Sequence, residues 1–343
     1  MKKVYFRVDG NEIIATGHIM RCLSIARQVE VLGGEVCFVL ADGRPHELIA
    51  RYGYSCDILD SQWDDLDQEI NQMIAYIRKN QVEVLFLDTY YVTENYLKRL
   101  PEYTRIVYLD DLGSFIYPVH AVINYGMWSA TMYNQEAYRR AGLDTEFLLG
   151  ASYIPLRDEF CGIERTIRAE VREIMITTGG TDQLHVTGRL LQAFIQEHRL
   201  DGMKLHVIVG SFNRDKQRLQ QIAQKHPEII LHENVVNMSY WMTRCDIAIS
   251  ASGSTLYELA ACGTPTICLE VADNQRGAVW WQEEGYMLYA GNAALDMRLC
   301  VENTMKAVEQ YRNDYELRCK CSNRIHRLVD GNGARRIAEY LIQ

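Results

Sequence analysis

The sequence has little proline and no long apolar run, and these two absences narrow the class of protein. Only 6 of its 343 residues are proline, while 48% are hydrophobic and 24% are charged, which is the composition of an ordinary globular protein. Nowhere do about 18 apolar residues follow one another, the length that a membrane-spanning helix needs. The opening residues 1–9 predict a strand rather than a secretion signal. We therefore expect a cytoplasmic protein that does not span a membrane.

An excess of basic charge is also absent. Lysine and arginine total 36 against 45 aspartate and glutamate residues, a formal net charge of −9. Because nucleic-acid binding requires a surface that neutralises phosphates, we expect no nucleic-acid partner. The expected partner is a small molecule, and the sequence indicates no particular oligomeric state.

Paired cysteines and several familiar catalytic motifs are missing as well. The ten cysteines include no C-x-x-C pair, and Cys319 with Cys321 alone is too little for a zinc site. No G-x-G-x-x-G, G-x-x-x-x-G-K-[ST], H-E-x-x-H or G-x-S-x-G motif occurs, which argues against dinucleotide, P-loop, zinc-protease and serine-hydrolase chemistry. Asp110 and Asp111 could bind a metal, but two acids at a strand end are more often structural. We predict no metal and no cofactor.

The chain does contain a regular alternation of short apolar runs with longer segments of helical period. This alternation is typical of β–α–β units and predicts an α/β fold with parallel sheets covered on both faces. We predict a Rossmann-like domain over residues 1–155, a linker over 156–172, and a second Rossmann-like domain over 173–343 that includes the C-terminal helices. Because open sheets bind ligands at the carboxyl ends of their strands, the two domains are expected to face a common cleft. The predicted strands are Val4–Val8, Val36–Leu40, Cys56–Leu59, Val84–Leu87, Ile106–Leu109, Ala121–Asn124, Ile174–Thr177, Leu205–Val209, Ile229–His232, Ile247–Ser250 and Thr266–Leu269, and the clearest helices are His18–Leu32 and Asp67–Lys79.

The loop after the first predicted strand carries the most direct sign of chemistry. It leads through Thr16, Gly17 and His18 straight into a helix. Glycine allows a ligand to approach the backbone closely, and a helix N-terminus offers unpaired N–H groups and a positive dipole end that suit a phosphate. That dipole disfavours a further positive charge, so we expect a neutral His18 ring that can accept a proton. The alternative is that His18 only caps or packs the helix.

A loop of the second half has the same strand, loop and helix order. Residues 177–182 include Gly180 and Thr181, in a turn of the kind that binds phosphate. The alternative is a tight connection between strand and helix in which Asp182 caps the helix.

A second loop of this half makes a stronger case for a diphosphate. Ser252, Gly253, Ser254 and Thr255 place several hydroxyl groups beside the free N–H groups of a helix start. Glu258 lies one turn further on, where a carboxylate could bind the two hydroxyls of a ribose or could merely complement the helix dipole. After the next strand, Asn274 and Gln275 offer amides that could hold sugar hydroxyls or acetamido groups.

The loops described above and several other segments follow one another in a recognisable order. These segments are Arg7 with Asp9, Thr16–His18 with Arg21, Leu87–Tyr90, Asp110–Asp111, Tyr153 with Pro155–Arg157 and Glu159–Phe160, Gly179–Asp182, Ser252–Ser254 with Glu258, Asn274–Gln275 and Asp330–Ala334. Together they resemble nucleotide-sugar enzymes of the GT-B type, especially those near the N-acetylglucosaminyltransferase that forms lipid II. More narrowly, they resemble the UDP-2,4-diacetamido-2,4,6-trideoxy-β-L-altropyranose hydrolase family (PseG) of pseudaminic acid biosynthesis. The resemblance covers nearly the whole chain.

The resemblance implies the hydrolysis of a UDP-sugar, in which water attacks the anomeric carbon with inversion and UDP leaves. It implies that His18 is the general base, that Glu258 binds the ribose and that residues 252–255 bind the diphosphate. The implied sugar-binding or phosphate-binding residues are Arg157, Tyr90 and Asn274, and the implied substrate-binding set is completed by Arg7, Asp9, Gly17, Gly180, Thr181 and Gln275. No cofactor or metal is implied.

Alternatives remain at this point. Thr89 stands where some members of the family have histidine and where a related spore-coat polysaccharide group has serine or threonine, so the sugar is left open. The same fold and donor site also serve glycosyltransferases, in which an acceptor hydroxyl replaces water, although the N-terminal half shows no obvious basic or apolar membrane patch. A non-catalytic subunit that binds nucleotide sugars would keep the donor loops without needing His18.

Overall fold

The computed structural model describes residues 2–14, 16–272, 275 and 277–343. The chain forms two compact units, one made of Met1–Asp158 with Gly331–Gln343 and the other of Glu159–Asp330. Each unit is built on one parallel sheet, so the predicted α/β class is confirmed. Within the described part of the chain, no helix has both the length and the apolar character needed to cross a bilayer.

Each sheet consists of strands whose apolar runs the sequence displays. The strands of the first unit are β1 (Lys3–Val8), β2 (Glu35–Leu40), β3 (Cys56–Ile58), β4 (Val84–Asp88), β5 (Arg105–Leu109), β6 (Ala121–Asn124) and β7 (Glu146–Leu149). Those of the second unit are β8 (Glu173–Thr177), β9 (Lys204–Val209), β10 (Ile229–Glu233), β11 (Ile247–Ala251), β12 (Thr266–Glu270) and β13 (Leu288–Asn292). The strand orders are β3-β2-β1-β4-β5-β6-β7 and β10-β9-β8-β11-β12-β13. Central strands such as β4 and β11 are buried at every position, which explains why their sequences are continuously apolar rather than alternating.

Helices connect the strands and supply the apolar faces that cover the sheets. They are α1 (Gly17–Val31), α2 (His46–Arg51), α3 (Leu66–Asn80), α4 (Glu94–Arg99), α5 (Ser129–Met132), α6 (Gln135–Arg140), α7 (Val186–Gln196), α8 (Lys216–Lys225), α9 (Met238–Arg244), α10 (Thr255–Ala261), α11 (Val279–Glu283), α12 (Met297–Asn313), α13 (Tyr315–Leu328) and α14 (Gly333–Leu341). In the first unit, α1 packs in one apolar cluster with β1 and β4, while α3 and α4 belong to a second cluster that includes the other side of the same strands.

The last helix belongs to the first unit, unlike in the predicted division, which assigned residues 173–343 to the second domain. Ile337, Ala338 and Leu341 are fully buried in the same cluster as Ile25 and Val29 of α1. The apolar face of α14 therefore finds its partner on α1, a contact that no local pattern in the sequence reveals.

The predicted linker also joins a unit. Residues 159–172 belong to the second unit, where Arg165 donates to the carbonyl of Cys245 at 2.6 Å and Arg168 donates to Asp246 at 2.6 Å. Two arginines thus attach this segment to the turn between α9 and β11.

All the strands predicted from the sequence are present, with small shifts at their ends. Two further strands, β7 and β13, are missing from the prediction. Both lie at an edge of their sheet and are partly exposed. An edge strand needs fewer apolar residues than a central one, so its pattern is weaker.

Strand order reverses once in each sheet, between β1 and β4 in the first unit and between β8 and β11 in the second. At such a point the connections leave toward opposite faces of the sheet, and a crevice opens beyond the carboxyl ends of the two strands. The loops after β1, β4, β8 and β11 are therefore the places where this architecture puts ligand-binding residues.

Candidate active site

The start of α1 lies beside the point of reversal in the first sheet. The helix begins at Gly17, and no side chain among the described residues caps its first turn. A Cβ atom added to Gly17 would meet no atom within 4 Å, so packing does not require glycine there. The open space and the uncapped N–H groups leave this turn accessible to a ligand.

His18 forms a hydrogen-bonded pair with Asp88, which ends the neighbouring strand β4. Its Nδ1 atom lies 2.6 Å from Oδ1 of Asp88, and the two residues are 6% and 1% exposed. Burial of the Asp88 carboxyl opposes ionisation, but the charge of Arg21 and hydrogen bonds from Arg21 and His18 outweigh it and lower the pKa of Asp88 to about 2. Asp88 is thus a carboxylate that can only accept, so we assign the proton of a neutral His18 ring to Nδ1. The Nε2 atom then has the free lone pair.

Arg21, one turn further along α1, also binds Asp88, and its Nη2 atom lies 3.0 Å from Nδ1 of His18. Its Nε atom donates to Oδ2 of Asp88 at 2.6 Å, and one of its terminal nitrogens donates to Oδ1. The other terminal nitrogen donates to Asp111 at 2.9 Å and to the hydroxyl of Tyr125 at 2.6 Å. The guanidinium therefore joins the ends of β4, β5 and β6 and compensates the buried charge of Asp88.

Tyr90 forms one wall beside His18. The two rings meet edge to face, with centroids 4.6 Å apart, and Tyr90 is 45% exposed. Burial of its hydroxyl and the nearby charge of Asp111 raise the pKa of Tyr90 to about 12, so it stays a hydrogen-bond donor at neutral pH. The structure therefore brings the predicted Tyr90 together with His18.

A buried network holds the loops that carry Asp111 and Tyr125. The carboxylate of Asp110 accepts from the backbone N–H groups of Leu112 and Gly113 at 2.9 and 2.8 Å. It also accepts from the hydroxyls of Tyr117 and Tyr133 at 3.0 and 2.5 Å. Asp110 is thus structural, as is usual for an acid at a strand end.

Arg7 and Asp9 lie apart from this cluster in a buried group of ion pairs. Both nitrogens on one side of the Arg7 guanidinium donate to Glu69 at 2.9 Å, and a third donates to Asp9. Asp9 also accepts from the backbone N–H of Ala41 at 2.8 Å. Arg7 is fully buried, so the predicted contact of these two residues with substrate would require the pairs to open.

Arg157 lines a different cavity of the first unit. The cavity has a volume of about 360 Å³ and is lined by Met20, Leu23, Ser24, Arg27, Glu30, Tyr52, Tyr54, Arg157 and Asp158. Among the described residues, the lining includes neither His18 nor Asp88. Within this unit the structure therefore does not bring Arg157 together with the His18 cluster, and its role in binding the sugar stays a prediction.

In the second unit, the loop after β8 has a capping acid and an exposed turn. The carboxylate of Asp182 accepts from the first two backbone N–H groups of α7, those of Val186 and Thr187, at 2.9 and 3.1 Å. The capping role considered for Asp182 is therefore present. Gly180 and Thr181 are exposed, which keeps them available to a ligand.

The loop after β11 is tied to β12 and to Gln275. The hydroxyl of Ser252 donates to the carbonyl of Leu269 at 3.0 Å, while Ser254 is exposed and Thr255 begins α10. Nε2 of Gln275 lies 3.8 Å from the place that a Cβ on Gly253 would take. The structure thus brings together Gln275 and the predicted diphosphate loop.

Glu258 lies in the first turn of α10 and is half-buried. This position is expected both for an acid that binds the ribose and for one that only complements the helix dipole. Asn274 lies outside the described residues. The described part of the chain contains no group of three or more histidine, cysteine, aspartate or glutamate side chains placed to hold a metal ion.

Asp88 and Arg21 occur in the motifs of the sequence, but the sequence alone assigned them no role, and it considered Asp111 only as a possible metal ligand. The acid that contacts Nδ1 of His18 in the structure is Asp88. Only the sheet topology could have identified Asp88 as the partner of His18, because Asp88 ends β4, the strand that pairs with β1 at the point where the strand order reverses.

No protein-family model matches the chain. It is 20% identical over 285 residues to the uncharacterized protein MJ1062 of Methanocaldococcus jannaschii, covering 80% of this chain but only 57% of that protein. It is 24% identical to the spore coat polysaccharide biosynthesis protein SpsG of Bacillus subtilis, covering 80% of each chain. It is 26% identical to the UDP-2,4-diacetamido-2,4,6-trideoxy-beta-L-altropyranose hydrolase of Campylobacter jejuni, covering 83% of this chain and 97% of that one.

Solved structures share the fold at low sequence identity. MurG of Acinetobacter baumannii matches with a TM-score of 0.71 and 12% identity, covering 100% of this chain and 99% of that one. MnaA of S. aureus, solved with UDP, matches with a TM-score of 0.62 and 13% identity, covering 99% and 96%. These likenesses confirm the predicted α/β fold of the GT-B type.

Proposed function

We propose that this chain hydrolyses a UDP-linked sugar, with His18 as the general base and the second unit as the nucleotide-binding part. The observation that carries the proposal is the pair of His18 and Asp88 at the carboxyl ends of β1 and β4. Because Asp88 holds the Nδ1 proton, the Nε2 atom can accept a proton from water.

The proposed step is a single displacement. As the oxygen of a water molecule bonds to the anomeric carbon, Nε2 of His18 takes one of its protons. The bond from that carbon to the β-phosphate oxygen breaks, its electron pair leaves with UDP, and the configuration at carbon inverts. Asp88 stabilises the imidazolium, Arg21 keeps Asp88 in place, and the proton later passes to solvent.

The nucleotide would bind to the loops after β8 and β11. Gly180, Thr181 and residues 252–255 would contact the diphosphate, and Glu258 would bind the ribose. Tyr90, which touches the His18 ring, would contact the sugar. Gly17 would leave room for the reacting groups, while Arg157, Asn274 and Gln275 are proposed to bind sugar substituents.

The names of the relatives support the class of substrate. One is named a UDP-2,4-diacetamido-2,4,6-trideoxy-beta-L-altropyranose hydrolase, which supports a UDP-sugar as the substrate, and another a spore coat polysaccharide biosynthesis protein, which supports a part in polysaccharide synthesis. We further propose that the released sugar is 2,4-diacetamido-2,4,6-trideoxy-β-L-altropyranose, a precursor of pseudaminic acid.

One observation favours a glycosyltransferase as a second candidate. Ile13, Leu112 and Trp128 are 75%, 51% and 51% exposed, and they lie on the loops after β1, β5 and β6, at the edge of the sheet that carries His18. The sequence showed no obvious apolar patch in this half, yet the fold gathers these side chains at one edge. Such a surface would suit an acceptor with an apolar part.

The deciding experiment incubates the full chain with UDP-2,4-diacetamido-2,4,6-trideoxy-β-L-altropyranose in EDTA. Released UDP is measured with a coupled assay, and the anomeric proton of the sugar is followed by NMR. We expect release with inversion, and a fall of about 10²- to 10⁴-fold in kcat for His18→Asn, because asparagine can still donate to Asp88 but cannot act as the base. His46→Asn is the matched control, since His46 is exposed at the start of α2 in the same unit, and it should keep full activity.

Two results would contradict the proposal. Equal rates for wild type and His18→Asn would remove His18 from the chemistry. UDP release that appears only after an acceptor is added, with transfer of the sugar to it, would establish the transferase instead.

A further inference from the structure

The second unit contains its own pair of histidine and carboxylate at the carboxyl edge of the sheet. Nδ1 of His185 lies 2.5 Å from Oδ2 of Asp215. His185 is on the loop after β8 and Asp215 is on the loop after β9, the neighbouring strand. The His185 side chain is 53% exposed and that of Asp215 is 18% exposed. Because the carboxylate accepts at Nδ1, Nε2 is the ring atom left for an outside partner.

The two loops that carry this pair are packed together. The carbonyl of Gly180 accepts from the backbone N–H of Phe212 at 3.1 Å, and a Cβ on Gly210 would lie only 2.3 Å from that carbonyl oxygen. The buried Asn213 accepts from the backbone N–H of Asp215 at 2.8 Å. His185 therefore meets a carboxylate whose position is set by packed backbone.

Several charged groups surround His185. On its own segment are Asp182 and Arg189, and on the segment around Asp215 are Arg214, Lys216 and Arg218. The carboxylate of Asp182 is used by the first N–H groups of α7, and Lys216 lies 3.6 Å from Glu233. The guanidinium carbon of Arg218 is 3.9 Å from the place of a Cβ on Gly188, in the first turn of α7.

The ring and the exposed guanidinium groups of Arg189, Arg214 and Arg218 are the groups suited to an anion. The helix start itself is not open, because Asp182 occupies its first two N–H groups. With its Nδ1–H facing Asp215, the ring can donate from Nε2 only when it carries a second proton there. Gly180 and Thr181 are exposed on the same loop between β8 and α7.

We propose that His185 binds the diphosphate of UDP as an imidazolium, donating Nε2–H to a phosphate oxygen while Asp215 holds Nδ1–H. The inference rests on the proposed function, in which the second unit takes the nucleotide. Since a neutral ring with Nδ1–H has no hydrogen on Nε2, UDP binding takes up a proton from the buffer.

The test is calorimetric titration of UDP into the full chain at pH 8, in two buffers with different enthalpies of ionisation. At this pH the terminal phosphate, whose second pKa is about 6, is already ionised, so proton uptake reports on the protein. We expect net uptake by wild type, no uptake and about tenfold weaker binding for His185→Gln, and reduced uptake for Asp215→Asn. The control is His198→Asn, because His198 is also exposed and also has a positive φ of 52° in the same unit, and it should behave as wild type.

Uptake that persists in His185→Gln would overturn the inference, as would its loss in His198→Asn. If His185→Gln fails to fold, judged by thermal unfolding, unchanged uptake in Asp215→Asn would overturn it instead. Hydrolysis of the UDP-sugar with unaltered uptake in these variants would leave the proposed function standing without this inference. Proton uptake through His185 in a chain that releases no UDP from any UDP-sugar would support this inference and contradict the proposed hydrolysis. Absence of UDP binding would overturn the inference and the proposed function together.

Discussion

Replacing Asp88 with asparagine tests the candidate active site at its central charge. The substitution keeps the size of the side chain but puts an NH₂ group where one carboxylate oxygen accepts. Asp88 uses both oxygens, one shared by His18 and Arg21 and the other bound by Nε of Arg21. An amide cannot accept all of these donors, and where its NH₂ group faces His18 it favours the ring with its proton on Nε2. That ring has lost its free lone pair on the substrate side.

The effect on stability follows from the pKa of Asp88, which is about 2 in the folded chain against an ordinary 3.8. A lowered folded pKa contributes stability that is present above pH 3.8 and is lost as the pH falls toward 2. At about 1.4 kcal/mol per pKa unit, this lowering corresponds to roughly 2 to 3 kcal/mol. We expect Asp88→Asn to lower the free energy of unfolding by about this amount at pH 7. We expect kcat to fall by about 10⁴-fold, as when the aspartate of a catalytic triad is replaced by asparagine and the histidine takes the wrong tautomer.

Urea unfolding of wild type and Asp88→Asn at pH 7 and at pH 3 measures the first effect, and UDP release measures the second. The ¹⁵N chemical shifts of the His18 ring, identified by their absence from His18→Asn, report the tautomer directly. A folded Asp88→Asn protein with wild-type kcat would refute the reasoning. So would a stability difference that stays the same at pH 3, or an Nε2–H tautomer in wild type.

Three further predictions follow from other parts of the chain. Glu69→Gln leaves the fully buried Arg7 with a weaker partner, so urea unfolding should show a loss of about 3 kcal/mol, whereas an unchanged midpoint would mean that these pairs are not important for stability. His206 is buried, and burial lowers its pKa from 6.5 to about 4. Its neutral form therefore contributes stability that is present above pH 6.5 and is lost as the pH falls toward 4. Thermal unfolding of His206→Gln should depend less on pH over this range than thermal unfolding of wild type. Gly210→Ala would place its Cβ 2.3 Å from the carbonyl oxygen of Gly180, so UDP affinity should fall by tenfold or more, and equal affinity in titration calorimetry would show that this loop takes no part in nucleotide binding.

The position of His18 was predictable because every feature that sets it is local. An apolar strand, a short loop and a helix that begins at Gly17 follow one another within the first 32 residues. Together they place His18 in the first turn of α1. The acid that orients the ring is 70 residues away in sequence. Choosing Asp88 over Asp110 requires the strand order, which places β4 directly beside β1 and β5 one strand further away. Choosing it over Asp9 requires knowing that Asp9 is bound by Arg7 and by the backbone N–H of Ala41.

The surroundings of Arg7 and Arg157, in contrast, could not be predicted from the sequence. Both are cations near a strand end or loop, as a phosphate-binding residue would be, and sequence reasoning cannot tell whether such a charge meets a ligand or a buried acid. The answer for Arg7 depends on Glu69, a helical acid that looks solvent-exposed in the sequence and yet is 1% exposed in the fold. Arg157 instead lines a cavity against the outer face of α1.

The sequence by itself determined the α/β class, the approximate bounds of the central strands, the loop that leads to His18 and the hydroxyl-rich loop at residues 252–255. Hydrophobic periodicity and turn residues act over a few positions, so these features can be recognised locally. Only the tertiary structure decided which carboxylate orients His18, which unit the last helix joins, and that His185 is paired with Asp215. These outcomes depend on contacts between residues tens to hundreds of positions apart, and such contacts are selected by the packing of whole faces and the pairing of buried charges. The local sequence pattern carries no record of that selection.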